Sequence, residues 1–364
     1  MNVAYFGYIK SSEKLSGPEK FAKRIYKYAL SKEIRLLFID YFYGKEFSCY
    51  KKLFGSRIET IDDEFIVHRM GIIKMLFSLF LFKPDIIHLT CYDRSYIAAF
   101  IYKIFSKVKI INTMHGLVFH ENKMFKSNLA FGYRIKNYMY EKIVWRFSDI
   151  HVLVSNIQRE LISTIPFYKE RESIKIIPNG VDDIFFKTNE RTGRDEEINI
   201  AFVGDINRKE KGFAYFEQIA NSTKENIRFH CISNMFVRNN KINIIPRQSV
   251  EEYKNILNEM DIYISPSIYE SFQIVLVEAM ASGVVPICSD RVGASYLINN
   301  GINGYVLSLD NLDKWNDILS VLNNDRKLLK RLSLAAKNSV EDLTWDNIFE
   351  KYYSLYKNTV AEIS

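Results

Sequence analysis

Short apolar runs alternate with amphipathic segments along most of the chain. Segments such as SGPEKFAKRIYKYAL space their apolar residues three and four positions apart, which places these residues on one face of a helix. The apolar runs between such segments have the length of buried strands. In the first half of the chain these runs read NVAYFGY, IRLLFID, PDIIHLT, KIINTMH and DIHVLVS. Strands that alternate with helices predict parallel sheets covered by helices.

The same pattern starts again after a polar stretch. Residues 186–198, FKTNERTGRDEEI, have no hydrophobic period and predict a linker. The strands INIAFVGD, IRFHCIS, KINIIP, DIYISPS and VVPICSD follow it. We therefore expect two Rossmann-like, doubly wound α/β domains that face a common cleft. Their predicted bounds are residues 1–185 and 186–344, with a helix at about 345–364 that crosses back to the first domain.

Composition places the chain among globular proteins. It has 364 residues, of which 48% are hydrophobic and 26% charged, and its opening lacks the pattern of a secretory signal. The longest apolar run, GIIKMLFSLFLF at residues 71–82, is too short to cross a bilayer and is interrupted by Lys74. The four cysteines lack the spacing of a zinc site or a disulfide framework. These features predict a cytoplasmic protein.

Positive charge is concentrated in the first half. Residues 1–150 hold 25 Lys and Arg against 14 Asp and Glu, whereas residues 151–364 hold 25 against 29, so the balances of +11 and −4 sum to +7. Two basic and aromatic segments stand out, at residues 68–83 and 123–147. We expect the first to be buried, and for the second both burial and contact with an anionic membrane surface remain open. No nucleic-acid-binding module accompanies them.

Two carboxylates interrupt the most apolar stretch, SPSIYESFQIVLVEAMASGVVPICSD at residues 265–290. Glu270 should lie in a loop at the carboxyl end of a strand, where α/β sheets bind ligands. Glu278 should lie two turns into the next helix, where it could bind a vicinal diol. The alternative is that both are solvated surface charges. The first N–H groups of that helix would suit a phosphate, and they belong to Ser271, Phe272, Gln273 and Ile274.

The same stretch resembles the donor-binding signature of retaining glycosyltransferase family 4, the glycosyl transferases group 1, which have the GT-B fold. In that signature a loop glutamate and a helix glutamate stand eight apart before A-M-A-x-G-x-P. Other segments are similar to family motifs and occur in the family's order over most of the chain: PDIIHLT, TMHGLVFHE, IKIIPNGVDDIFF, AFVGDINRKEKG and GINGYVL. Such a set of motifs is far more specific than any one of them.

The resemblance implies a role for each matching residue on the donor side. Glu270 would contact the hydroxyls of the transferred sugar, and Glu278 would bind the ribose of the nucleotide. Lys211 would neutralise the diphosphate, and Gly204 would let the backbone approach it.

Three positions depart from the family pattern. Asp205 stands where the family usually has an arginine, and Arg208 is the substitute that we favour over Lys209. Gln273 replaces a residue that is usually small, and Tyr296 stands where an acidic residue is frequent. The departures at Gln273 and Tyr296 point to an unusual donor or subfamily, and Asp205 leaves the identity of the second phosphate cation open.

The resemblance also implies an acceptor side in the first half of the chain. His115 and Gly116 end a strand there, and His115 would lie near the anomeric carbon. The alternative for His115 is a buried core histidine. Gly17 resembles the family's N-terminal glycine turn, although an ordinary helix-capping loop would read the same way.

The resemblance implies a glycosyltransferase that moves a sugar from a UDP- or GDP-linked donor to a saccharide on a polyprenyl lipid, in O-antigen or capsule synthesis. Anomeric configuration would be retained, with His115, Glu270 and Lys211 as the catalytic residues. No Asp-x-Asp motif predicts a metal site, so we expect no cofactor. Peripheral contact with the inner face of the cytoplasmic membrane would fit a lipid-linked acceptor. The alternatives are a sugar-nucleotide epimerase of the same fold and a nonenzymatic GT-B scaffold.

Overall fold

The chain forms two units. The computed structural model describes residues 1–9, 17–32, 34–42, 47–90, 92–125, 131–168, 173–187, 197–235, 239–246 and 249–362. The first unit combines Met1–Pro178 with Ile348–Ser364, and the second consists of Asn179–Asn347. Each unit has its own sheet and its own buried core.

The first unit is built on an eight-stranded sheet, counted over the described residues, with the order β3-β4-β2-β1-β5-β6-β7-β8. Every neighbouring pair is parallel except β3 with β4. The strands are β1 Asn2–Phe6, β2 Arg35–Tyr41, β3 Ser56–Ile61, β4 Phe65–Met70, β5 Ile86–Leu89, β6 Lys109–Met114, β7 Ile150–Leu153 and β8 Ile174–Ile176.

The antiparallel hairpin of β3 and β4 corrects the prediction of a purely parallel sheet. Its turn passes through Asp62 and Asp63, both with positive φ, at 50° and 53°. Two consecutive left-handed residues match the twist of paired antiparallel strands, and Asp tolerates this conformation better than most residues. The hairpin was missed because its strands alternate only weakly and its turn lacks glycine.

Helices cover both faces of this sheet. The helix predicted for SGPEKFAKRIYKYAL is confirmed and begins at Gly17. Ser155 caps the helix after β7, because its hydroxyl accepts a hydrogen bond from the Gln158 N–H at 3.3 Å. The helices are α1 Gly17–Ser31, α2 Cys49–Phe54, α3 Ile72–Phe82, α4 Tyr96–Ile104, α5 Val118–Phe125, α6 Phe131–Phe147 and α7 Asn156–Ser163.

Helix α3 contradicts the prediction that the first basic and aromatic segment is buried. Only Met75 and Leu79 of this helix are buried, whereas Phe77, Phe80 and Leu81 are exposed. A helix packed on one side of a sheet buries one stripe of residues, and α3 is apolar around more of its circumference than that stripe.

The second unit has a fully parallel sheet of six strands within its described residues, in the order β11-β10-β9-β12-β13-β14. The strands are β9 Ile198–Val203, β10 Ile227–Ile232, β11 Ile242–Ile245, β12 Ile262–Ser265, β13 Val285–Ser289 and β14 Tyr305–Leu307. The helices are α8 Phe213–Ser222, α9 Val250–Asn258, α10 Ile274–Ala281, α11 Asp313–Asn324 and α12 Arg326–Asn338. Short 3-10 turns occur at Asp183–Phe185, Lys209–Lys211 and Gly293–Leu297.

The last helix, α13 Trp345–Ala361, begins in the second unit and continues into the first from Ile348. Its inner side is buried in the first unit, where the rings of Phe349 and Tyr352 lie 5.2 and 5.3 Å from the ring of Phe21. The predicted crossing of the C-terminal helix is therefore confirmed. No helix among the residues that the structure describes combines the length and hydrophobicity needed to cross a membrane.

The units divide at Pro178, before the sequence-based boundary at residue 185. The intervening segment packs into the second unit, because Val181 donates its N–H to Leu343 O at 2.8 Å and Phe185 is fully buried there. The predicted linker begins at Phe186, and most of it lies outside the described residues.

Candidate functional site

The carboxyl ends of two neighbouring strands in the second unit bring Lys211 and Glu270 together. Lys211 follows β9 in a 3-10 turn, and Glu270 lies in the loop after β12. The Lys211 ammonium donates a hydrogen bond to Glu270 Oε1 and forms an ion pair with it. Their side chains are only 18% and 15% exposed, so Glu270 is not the solvated loop residue that the alternative required.

Gln273 completes this cluster. Its Nε2 donates to Ser267 Oγ at 3.3 Å and to Glu270 Oε1 at 3.5 Å, while its Oε1 is buried without a hydrogen bond from the described residues. Gln273 has φ of 77°, and helix α10 begins only at Ile274. The helix therefore starts three residues later than predicted, because left-handed backbone at Gln273 cannot belong to a right-handed helix.

Two glycines allow the loops of this cluster to approach each other. Gly212 has φ of 72°, and a β-carbon there would lie 1.8 Å from the carbonyl oxygen of Pro266. No other residue type fits that position without moving the backbone. At Gly204, the other glycine of the predicted loop, a β-carbon would lie 3.5 Å from Cγ of Lys211. Gly204 therefore borders the lysine stem.

A third glycine, Gly293, was missed by the sequence reasoning. A β-carbon at Gly293 would lie 2.0 Å from Ser271 O, and the Gly293 N–H donates to Glu270 O at 2.8 Å. The next residue, Ala294, donates its N–H to Phe272 O at 2.8 Å. Gly293 thus fixes the backbone of the segment that carries Glu270. The sequence feature that could have indicated this role is a single glycine soon after the carboxyl end of strand β13.

Glu278 lies in the interior of the second unit at 1% exposure, in the second turn of α10. This burial excludes the alternative of a surface charge at this position. Nearby Tyr263 is also buried, and burial together with the negative charges of Glu270 and Glu278 raises the pKa of its hydroxyl well above the usual value.

Arg208 forms an ion pair of its own. Its guanidinium pairs with the Glu210 carboxylate at 2.5 Å, and its side chain is 53% exposed. Glu210 in turn accepts at its backbone oxygen from the Ile268 N–H at 2.8 Å. The sequence reasoning did not foresee that Glu210 would neutralise Arg208, although the order Arg-Lys-Glu-Lys contained the signal.

The predicted acceptor-side residues belong to the first unit. His115 directly follows β6, and its ring lies 4.8 Å from that of Phe21 in helix α1. Beside it, a β-carbon at Gly116 would lie 2.8 Å from Glu121 Oε1. Gly17 is the first residue of α1, and most of the glycine turn predicted around it lies outside the described residues.

A buried carboxylate that the sequence did not single out supports the segment after His115. Glu141 accepts hydrogen bonds from the N–H groups of Val118 and Phe119, at 3.1 and 2.8 Å, and from the Tyr168 hydroxyl at 2.5 Å. Burial raises the pKa of Glu141 to about 7, although these three donors oppose the shift. Its sequence signal was an acidic residue alone in a long basic and aromatic run.

We find no group of three His, Cys, Asp or Glu side chains within the described ranges that could hold a metal ion. The cluster of Lys211, Glu270 and Gln273 itself offers a carboxylate, an ammonium group and an amide.

Two family models match consecutive parts of the chain. The model described as "Glycosyltransferase Family 4" matches residues 56–184, and the one described as "Glycosyl transferases group 1" matches residues 185–339. The chain therefore belongs to the glycosyltransferases of family 4, as its motifs indicated.

Three relatives from bacteria are similar to this chain at 22% to 28% identity. A protein from the cps region of Klebsiella pneumoniae, described as uncharacterized, is 28% identical over 76% of this chain and 79% of its own length. The O-antigen biosynthesis glycosyltransferase WclY of Escherichia coli is 24% identical over 80% of each chain. A UDP-Gal:alpha-D-GlcNAc-diphosphoundecaprenol alpha-1,3-galactosyltransferase of Escherichia coli is 22% identical over 71% of each chain.

Solved structures show the same fold. Sucrose-phosphate synthase from Thermosynechococcus elongatus has a TM-score of 0.77 at 12% identity, with 99% of both chains covered. Anabaena HepE in complex with UDP-glucose has a TM-score of 0.70 at 13% identity, with 98% of this chain and 100% of that chain covered. The predicted GT-B fold is confirmed, and the protein is a GT-B glycosyltransferase.

Proposed function

We propose that this glycosyltransferase moves a sugar from a nucleotide-sugar donor to a lipid-linked saccharide, with retention of anomeric configuration and without a metal ion. The observation that carries this proposal is the cluster of Lys211, Glu270 and Gln273 at the carboxyl ends of β9 and β12. It offers a cation for phosphate and a carboxylate for hydroxyl groups within one hydrogen-bonded set.

The ion pair suggests how donor binding begins. In a largely buried ion pair, each charge needs its partner, because removal of one leaves the other uncompensated. A donor diphosphate would attract the Lys211 ammonium, and the sugar hydroxyls would donate hydrogen bonds to Glu270. The N–H groups at the start of α10 would add partial positive charge beside the phosphate. Arg208 would have to leave Glu210 before it could contribute.

Glu278 supports binding of the nucleoside. In the donor motif this glutamate would accept hydrogen bonds from the two hydroxyls of a ribose. Gly204 would border the diphosphate. His115 and Gly116 are assigned to the acceptor, with Gly17 in the loop beside it.

The proposed transfer proceeds on one face of the sugar. The bond from the anomeric carbon to the phosphate oxygen breaks, and its electron pair remains on the phosphate. The acceptor oxygen attacks the same face and forms the new glycosidic bond, while its proton passes to the departing phosphate. Lys211 and the helix N-terminus would stabilise the charge that develops on the leaving group.

The acceptor and the pathway are inferred from relatives. One relative's name specifies a diphosphoundecaprenol acceptor, and two others belong to O-antigen synthesis or a cps region. These names support a role in bacterial surface polysaccharide synthesis, and we propose that it takes place at the inner face of the cytoplasmic membrane. HepE binds UDP-glucose, which favours a UDP-sugar over a GDP-sugar as the first donor to test.

Donor hydrolysis in EDTA tests this proposal. UDP- and GDP-sugars would be incubated with the protein, and release of the nucleoside diphosphate would be measured together with the melting temperature. We expect one donor to raise the melting temperature and to be hydrolysed slowly. Lys211→Ala and Glu270→Gln should each lower that rate by about a hundredfold, the scale seen for charge-stabilising groups in active sites.

Matched controls are Lys330→Ala and Glu251→Gln, which change exposed residues on α12 and α9. If the folded Lys211 and Glu270 variants keep near-normal rates, the assignment of these residues fails. Binding of a donor with no turnover, even with acceptor lipid present, would instead favour a nonenzymatic scaffold. Conversion of the donor to its epimer would favour the epimerase.

A further inference from the structure

Three helices on one side of the first unit expose large apolar side chains. In α3, Phe80 and Leu81 lie three and four positions after Phe77, so the three side chains share one face. The exposed fractions in the whole set range from 42% for Phe80 to 85% for Leu81. We call this set the aromatic face, and it consists of Phe77, Phe80, Leu81, Ile104, Phe105 and Phe147.

Ring contacts join residues of the aromatic face to neighbouring helices. The ring of Phe80 lies 5.1 Å from that of Tyr102 and 6.3 Å from that of Phe105, which joins α3 to the end of α4. The ring of Phe147 lies 5.4 Å from that of Phe100, which joins α4 to the end of α6. Scattered apolar residues are normal on a protein surface, but a contiguous patch marks an interaction site.

Cations surround this face. Lys74, Lys83, Lys107 and Arg146 have exposed side chains on the same helices or directly after them. The nearby acidic groups are engaged, since Asp149 accepts a hydrogen bond from Lys103 at 2.6 Å and Asp85 accepts one from the Asn2 N–H at 2.7 Å. The face therefore combines apolar side chains with a surplus of positive charge.

We propose that the aromatic face docks on the surface of an anionic phospholipid bilayer. Phenylalanine and leucine can enter the region between head groups and acyl chains, while lysine and arginine remain at the phosphates. A second copy of the chain fits less well, because a twofold interface would bring the same cations against each other. This inference rests on the proposed function, in which the acceptor lies in a bilayer.

Sedimentation with lipid vesicles tests the docking. The full-length protein would be mixed with vesicles of phosphatidylcholine, with and without phosphatidylglycerol, in the absence of donor and acceptor. We expect binding only to the anionic vesicles. Lys74→Gln with Lys107→Gln should weaken it roughly twentyfold, because each cation near the surface is worth about fivefold in partitioning.

The apolar contribution has its own variant and control. Leu81→Ser with Phe105→Ser should weaken binding by more than about a hundredfold, since burial of each of these side chains is worth more than tenfold. The control is Leu334→Ser in α12, because Leu334 is 62% exposed and also has basic neighbours but lies outside the face. Melting temperatures and donor hydrolysis by the same variants report folding and transferase function separately.

Three results would contradict membrane docking and leave the proposed transferase activity unaffected. These are equal binding to neutral and anionic vesicles, unchanged binding by both double variants, or equal loss in the Leu334→Ser control. A wild-type dimer that dissociates on the Leu81 and Phe105 changes, with no vesicle binding, would assign the face to self-association. If the wild-type protein binds anionic vesicles but hydrolyses no donor, that result would contradict the proposed function alone.

Discussion

A single carboxyl group, that of Glu141, holds the backbone that follows His115. It accepts the first N–H groups of α5, which have no partner within their own helix. A carboxylate is the natural cap there because it also suits the positive end of the helix dipole. Its burial, however, favours the protonated form. Glu141 is therefore a structural support whose strength depends on pH.

The pH dependence of stability has a definite sign. In the unfolded chain Glu141 should titrate near its ordinary 4.5, and in the folded protein near 7. Between these values the folded protein keeps a proton that the unfolded chain has lost, so this carboxyl makes the protein less stable as pH rises. Above about pH 7 the effect levels off.

Glu141→Gln should remove this dependence. At pH 5 the variant should be less stable by about 1–3 kcal/mol, because the amide nitrogen would face a backbone N–H. The difference should shrink as pH rises to 8, since the carboxyl loses stability over that range and the amide does not. Urea unfolding at several pH values measures both curves. Glu160→Gln, on the exposed side of α7, is the control, and parallel curves for Glu141→Gln would contradict the prediction.

At the scale of one element, α13 contributes polar as well as apolar contacts to the first unit. The Tyr356 hydroxyl lies 2.6 Å from His88 Nδ1, and His88 Nε2 lies 2.8 Å from the hydroxyl of Thr113. Burial lowers the pKa of His88 to about 3, so the imidazole is neutral at physiological pH. The histidine of PDIIHLT thus joins two strands of the sheet to the last helix of the chain.

Tyr356→Phe should weaken the attachment of α13. Loss of the hydroxyl would leave His88 Nδ1 buried without this partner, which should lower the free energy of unfolding by about 1–3 kcal/mol. Urea unfolding measures the change. Tyr50→Phe, at a residue 71% exposed, should have no effect. A Tyr356→Phe variant as stable as the wild type would mean that this contact contributes little.

At the scale of the whole molecule, the chain enters the second unit at Asn179 and leaves it after Asn347. The segments at these two points lie side by side within that unit. Val181 pairs with Thr344, and Gly180 packs against Trp345. A β-carbon at Gly180 would lie 2.8 Å from Cα and ring atoms of that tryptophan. The glycine of the family's N-G-V-D motif is thus required here by close packing.

Gly180→Ala should destabilise the protein by about 1–3 kcal/mol, the usual cost of overpacking a core. Thermal or urea unfolding would detect it. Gly132→Ala is the matched control, because a β-carbon at Gly132 meets nothing within 4 Å and alanine favours the helix in which it lies. Equal stability of the two variants would show that Trp345 can move without cost.

Much of the fold could be predicted because local pattern and tertiary structure agree. Five strands of the second unit were found from their apolar runs, since a parallel strand buried on both faces needs a continuous run, whereas the short, half-buried β14 was not predicted. The β3–β4 hairpin was missed because its edge strand is largely exposed and therefore carries a weak pattern. The exposed side chains of α3 were misjudged because hydrophobicity alone does not say which side of a helix is covered.

The sequence by itself determined the α/β class, the GT-B family and the identity of the glutamates and lysine in the donor motif. Their order and spacing are properties of the chain, and the roles given to them remain predictions. Only the tertiary structure decided that Lys211 pairs with Glu270 and that Glu141 supports the segment after His115. These partners are brought together by strand order and loop packing, and no local pattern encodes which charges will meet when distant segments fold.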